Sequence, residues 1–209
     1  MSPTNLLADV AAYYAEKLAE HGDTPRGVDW NSEESQTIRF AQLCKIFDPK
    51  TPNFSINDLG CGYGALLDYL RDMRVPCTYL GVDVSPEMIK AAEQRAAGDQ
   101  ARFITSTEPD LMADYSVASG IFNVRLGRTD AEWLDYLQAT LDVLDRTSRH
   151  GFSFNCLTSY SDEDRKRDYL YYADPCRLFD LCKRRYSRQV ALLHDYGLYE
   201  FTVLVRKTS

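Results

Sequence analysis

The stretch that decides the fold is Asn57-Asp58-Leu59-Gly60-Cys61-Gly62-Tyr63-Gly64-Ala65. A short β-rich run, residues 54–59, leads into it, and a helical pattern through Leu66, Leu67 and Leu70 leads out. Glycines between a strand and a helix permit a sharp turn, a close backbone approach to a ligand, and helix N-terminal N–H groups pointed at it. Taken alone, Gly60-x-Gly62-x-x-Ala65 also satisfies the relaxed dinucleotide fingerprint, so the glycines leave the ligand open.

Working outward, β-rich and helical segments alternate. Strands are expected at 54–59, 78–84, 102–105, 115–120 and 151–156. Ser85-Pro86 caps and starts a helix over 87–97, and Trp133, Leu134, Leu137, Leu141 and Leu144 mark a helix over 130–144. Asp174-Pro175 opens another, ending near 185. The runs 189–193 and 199–205 are separated only by residues 194–198, too short a connection for a parallel crossover, so they form an antiparallel hairpin. The expected fold is α/β: a doubly wound, mostly parallel sheet finished by that hairpin.

Two amphipathic helices, 5–20 and 32–47, precede the first strand. They either cover a sheet face or form a lid over a ligand at the sheet's carboxyl edge, where open α/β sheets bind. The chain therefore divides, within a single domain over 1–209, into an N-terminal helical lid (1–50), a cofactor-binding core (51–157), a cover loop and helix (158–187) and the terminal hairpin (188–209).

With 24 Lys+Arg against 31 Asp+Glu in 209 residues, the formal charge of −7 repels polyanions, which makes nucleic acid and anionic membrane poor partners. The six cysteines stand singly, with neither a CxxC pair nor zinc-like spacing, so the expectation is a reduced, cytoplasmic chain without a metal. Asp9, Glu16 and Glu20 interrupt the opening segment where a signal peptide needs an apolar run, and nothing approaches the length of a membrane span. Oligomeric state is not legible.

Two acidic residues narrow the ligand. Asp58 sits inside the end of the first strand, directly before the turn, where a carboxylate repels a pyrophosphate and attracts ammonium and sulfonium groups, leaving the turn's N–H groups to a ligand carboxylate. Asp83, nineteen residues past Gly64, is placed to accept both hydroxyls of a ribose. The set fits an adenosine amino acid better than a dinucleotide. The plainer alternative is a simple strand-to-helix turn, with Asp83 helping Ser85 to cap the next helix.

DLGCGYG followed by GVDVSPEMI resembles the first two motifs of class I S-adenosylmethionine-dependent methyltransferases, closely over residues 54–125 and more loosely beyond. The resemblance implies a Rossmann-like, seven-stranded sheet ending in an antiparallel hairpin, in agreement with the strand plan. It implies S-adenosyl-L-methionine as cofactor, lying across Gly60, Cys61, Gly62 and Gly64, with its ribose on Asp83 and its adenine flanked by Val84 and Met88. The family often places an acidic or small polar residue after the third strand, near the adenine amino group. Here Thr105-Ser106-Thr107 stands there, which puts Ser106 in that role beside Thr107. Asp114, and Gly120-Ile121-Phe122-Asn123 at the end of the fourth strand, resemble the motif under the methionine arm, which adds Gly120 and Phe122. From the lid, Tyr14 and Trp30 are expected to reach the cofactor.

Methyl transfer from a sulfonium is an in-line displacement, so the protein aligns a nucleophile and removes its proton where it has one. Of the three histidines, His21 lies in the lid loop and His150 at the amino edge of the sheet. His194 shares the edge of the glycine turn if the sixth strand is parallel, and is the expected base; otherwise it is a hairpin histidine paired with backbone. Asn155 either holds a substrate hydroxyl or satisfies a buried edge. The connection 159–175, with Tyr160, Tyr169, Tyr171 and Tyr172, reads as a substrate cover. Its Arg165-Lys166-Arg167 run, interleaved with acids, reads first as solvated surface and otherwise as a contact to one phosphate or carboxylate. The expected activity is methylation of a hydroxyl or amine on a small molecule, such as a sugar or specialised metabolite. The alternatives are a protein methyltransferase, an NAD(P)-dependent oxidoreductase using the same turn, and a non-catalytic cofactor-binding protein.

Overall fold

Five strands, β1 (Phe54–Leu59), β2 (Cys77–Asp83), β3 (Arg102–Thr105), β4 (Ala113–Ala118) and β5 (Ser148–Leu157), run parallel. Two more, β6 (Gln189–Leu193) and β7 (Glu200–Arg206), pair antiparallel with each other, and β7 also pairs antiparallel with β5. The order across the seven-stranded sheet is β3-β2-β1-β4-β5-β7-β6. The computed structural model describes residues 3–28, 32–48, 51–96 and 101–207. Six α-helices are described: α1 (Pro3–His21), α2 (Glu33–Leu43), α3 (Ala65–Asp72), α4 (Pro86–Arg95), α5 (Asp130–Arg146) and α6 (Pro175–Arg185). Among the described residues no helix is long and apolar enough to cross a membrane.

Side-chain alternation along the strands divides the core into two layers. Leu59, Leu80, Phe152, Phe154, Phe201, Val203 and Val205 pack under α5 and α6. Phe54, Ile56, Tyr79, Tyr115, Val117 and Leu204 pack under α2 and α3. The helix starts follow local chemistry. Ser85 Oγ accepts the Met88 N–H before Pro86, Thr129 and Glu132 form a reciprocal capping box, and Asp174 accepts two N–H groups before Pro175. Each such cap contributes about 1 kcal/mol.

The fourth strand lies two residues earlier than the sequence pattern suggests. Its start is knitted to β1, since Asp114 Oδ2 accepts both the backbone N–H and the hydroxyl of Ser55 at 2.8 Å, and the chain leaves the sheet before Gly120, which takes φ 76°. Asp114 therefore sits at the amino edge of the sheet, beside Arg149 and His150, and not under the methionine arm as the motif resemblance implied.

Candidate active site

The chain leaves β1 through Gly60, Gly62 and Gly64, all at positive φ (76°, 53° and 86°). At Gly60 a Cβ would also lie 2.1 Å from Ile121 Cγ2, so both backbone and space exclude a side chain there. The N–H groups of Gly60 and Cys61 donate to the Val82 carbonyl at 2.7 and 3.1 Å, that of Gly62 to Asp83 Oδ2 at 2.9 Å, and that of Gly64 to the Cys61 carbonyl at 3.0 Å. These groups hold the turn in shape, so fewer of them face outward than the sequence suggested.

A cavity of about 250 Å³ opens over the turn. Asp58, Gly60, Cys61, Gly62, Asp83, Val84, Met88, Ser106, Thr107 and Gly120 line it, and Tyr14 of α1 closes one side. Asp58 is buried at its foot. Tyr79 Oη donates to Asp58 Oδ2 at 2.5 Å, while Oδ1 has no hydrogen-bond partner among the described residues. Burial pushes this carboxyl up to about 7, against the pull of the tyrosine hydroxyl, and the nearby Asp83 adds to the rise. Asp83 is itself pushed up by burial and drawn back by backbone N–H groups. Its Oδ2 accepts Gly62 N–H and its Oδ1 accepts Ser85 N–H, both at 2.9 Å. Each oxygen retains a lone pair for a further donor.

A second cavity, of about 520 Å³, shares Tyr14, Val28 and Gly120 with the first. Its inner wall is a chain of buried polar groups on the α2 side of the sheet. Arg39 Nε donates to Glu200 Oε2 at 2.8 Å, and Asn155 Nδ2 donates to the same oxygen at 2.6 Å. Asn155 Oδ1 in turn accepts the Gly120 N–H at 2.8 Å. Glu200 Oε1 has no partner among the described residues.

A family model described as a methyltransferase domain matches residues 57–151. "Putative methyltransferase Rv1506c" of Mycobacterium tuberculosis is 68% identical over 157 residues, 75% of this chain and 95% of the relative. The chain belongs to the methyltransferase family. Its S-adenosylmethionine-dependent, class I character agrees with the solved structures of like fold. Magnesium protoporphyrin IX methyltransferase of Synechocystis PCC 6803, with bound SAH, aligns at TM-score 0.68 and 14% identity over 99% of this chain and all of that one. The DhpI-SAM-HEP complex aligns at TM-score 0.67 and 13% identity over 98% and 99% of the two chains. The Burkholderia thailandensis 1,6-didemethyltoxoflavin-N1-methyltransferase, with its substrate and S-adenosylhomocysteine, aligns at 0.63 and 17% over 100% and 92%.

The methyltransferase site fits its cofactor chemically. The orphaned oxygen of Asp58 is a buried acceptor that an ammonium can satisfy, and the two carboxylate oxygens of Asp83 match a pair of hydroxyls. Several expected residues lie elsewhere. Gly64 serves as the left-handed cap of α3 and does not line the cavity. Phe122 is fully buried in the core under α5, where its carbonyl accepts Trp133 Nε1–H at 2.9 Å; Ile121 lines the cavity in its place. The Ser106 hydroxyl is engaged in its own turn with Glu108. Trp30 lies outside the described residues.

His194 is the largest departure. β6 runs parallel to β1–β5, as the edge argument required, but it is the outermost strand, beyond the antiparallel β7. The exposed imidazole rests on the rings of Phe201 and Tyr160, at centroid distances of 6.0 and 5.9 Å, and lines neither cavity. Asn155 has both ends of its amide committed to Gly120 and Glu200, so its place in the structure is to position the turn after β4. The residues that sequence reasoning missed are Arg39 and Glu200. An antiparallel strand begins where parallel strands end, so the first residue of β7 reaches the carboxyl edge. That inversion was a signal available in the hairpin.

Proposed function

We propose that this methyltransferase transfers a methyl group to a hydroxyl or amine of a small molecule bound in the second cavity. The observation that carries the reading is the contiguity of the two cavities through Gly120, Tyr14 and Val28, which sets a second, partly open volume directly against the one proposed for the cofactor. Asp58 would hold the amino group of the methionine portion and Asp83 the ribose hydroxyls. Val84 and Met88 would flank the adenine, with Tyr14 and Gly120 at the boundary. S-adenosylmethionine, when bound, supplies a methyl group on a sulfonium that accepts the bond's electron pair as the acceptor attacks.

The remaining task is to align the acceptor and take its proton. Glu200 suits it: a buried carboxylate one side chain away from Gly120, with Oε2 fixed by Arg39 and Asn155 and Oε1 left for an acceptor O–H or N–H. Helices α1 and α2 act as the lid. Asp9 to Arg128 ties α1 to the segment before α5, and Asp23 to Arg95 at 3.0 Å ties the lid loop to α4. A cytoplasmic setting suits the six free cysteines.

The test is transfer of labelled methyl from S-adenosylmethionine to a cell extract split into small-molecule and protein fractions. Label in the small-molecule fraction supports the reading; label confined to protein overturns it. Glu200→Gln should lower kcat while S-adenosylhomocysteine binds as before.

A further inference from the structure

We infer that the acceptor is an anion, and that Arg165 and Arg167 bind its carboxylate or phosphoryl group in the second cavity. The inference rests on the reading of that cavity as the acceptor site. The charge pattern of the Arg165-Lys166-Arg167 run is resolved by its geometry. Lys166 Nζ pairs with Glu163 at 2.5 Å and lies near the Tyr172 ring, while the two arginines on either side of it line the cavity.

Neither arginine is neutralised as Lys166 is. Among the described residues Arg165 has a loose contact to Asp164, 3.9 Å between two exposed side chains. Arg167 pairs with no carboxylate among the described residues; its Nη1 donates to the backbone carbonyls of Asp164 and Lys166, which orient the guanidinium without cancelling its charge. Among the described residues that line the cavity the one carboxylate, Glu200, is already matched by Arg39. Among the described residues the wall thus presents Arg167 without a carboxylate partner and Arg165 with only the long Asp164 contact, in a chain of net charge −7.

The segment that presents them is anchored. The Arg167 N–H donates to Tyr172 Oη at 2.9 Å, the Tyr171 N–H to the Asn123 carbonyl at 2.8 Å, and the Arg125 and Leu126 N–H groups to the Tyr169 carbonyl at 3.0 Å. The anchored backbone and the two carbonyls that orient the Arg167 guanidinium lower the ordering cost of binding, and the planar fork of an arginine matches carboxylate and phosphoryl oxygens.

The test uses the full chain loaded with S-adenosylhomocysteine and titrated calorimetrically with inorganic phosphate and, separately, with acetate. One or both should bind saturably, and the Arg165→Gln/Arg167→Gln variant should bind about tenfold more weakly while its S-adenosylhomocysteine affinity is unchanged. Saturation by phosphate alone assigns a phosphoryl acceptor, and by acetate alone a carboxylate. No saturable binding of either, or equal binding by the variant, overturns the inference. In the labelling experiment, product retained on an anion exchanger supports it. Small-molecule product in the flow-through overturns it and leaves methyl transfer intact, whereas label confined to protein brings down the acceptor reading beneath it.

Discussion

Tyr79 Oη lies 2.5 Å from Asp58 Oδ2, the phenol of one strand donating to the carboxylate of the next. The bond secures one oxygen of a buried acid and leaves the other bare; burial pushes the carboxyl up to about 7 and the tyrosine hydroxyl draws it back.

Cofactor affinity should therefore depend on pH. With its carboxyl near 7, Asp58 pairs with an ammonium only when ionised, so affinity is full above that value and falls about tenfold per pH unit below it. Stability without cofactor runs the opposite way. The folded value is raised above the unfolded one, so this group's contribution is fully present below the unfolded value and is lost as pH rises from about 4 to about 7. Titrations with S-adenosylhomocysteine across this range check the first point, and Asp58→Asn should flatten the profile. Tyr79→Phe should move the inflection upward, because the hydroxyl that favours the ionised form is gone.

Asp83→Ala should weaken cofactor binding by about tenfold or more, the loss of two charge-assisted hydrogen bonds. It also frees the Gly62 and Ser85 N–H groups, so a modest fall in melting temperature is expected alongside. Unchanged affinity in a folded variant removes Asp83 from the ribose.

The Arg39–Glu200 pair is nearly sealed from water, at 7% and 1% side-chain exposure. Arg39→Met alone strands a buried carboxylate and should cost about 3–5 kcal/mol, whereas Arg39→Met with Glu200→Gln should recover most of it. Urea unfolding of the two variants measures the difference. Equal destabilisation in both would mean that the pair's charge is not what the fold depends on.

His194→Ala should leave kcat and cofactor affinity unaltered, since the imidazole lines neither cavity. A fall in kcat with a shifted pH–rate profile would restore it as the base.

The core strands were legible because alternation and turn chemistry agreed at each one. Phe54 to Leu59 ends in glycines, and Pro86 and Pro175 each follow a capping side chain. The proximity of Asp58 and Asp83 was legible for a related reason: they lie at the carboxyl ends of neighbouring parallel strands, so strand order places them together. The acceptor side was not. Arg39, Asn155 and Glu200 come from three distant segments: the pairing of β5 with β7 brings the last two together, and α2, packed on those strands, adds Arg39. His194 shows the converse error, because sharing an edge says nothing of how many strands lie between two residues. Phe122 failed on a finer scale, where a one-residue difference after Gly120 decides between cavity and core.

The insertion of β7 between β5 and β6 also fixes an order of assembly. β6 is made first but pairs only with β7, so it has no sheet to join until the later strand has docked. During synthesis the strands that carry Asp58 and Asp83 emerge first, while Glu200 arrives with β7 and joins the wall of the second cavity last. A chain caught part-way through translation would thus hold Asp58 and Asp83 before it held the Glu200 that walls the second cavity.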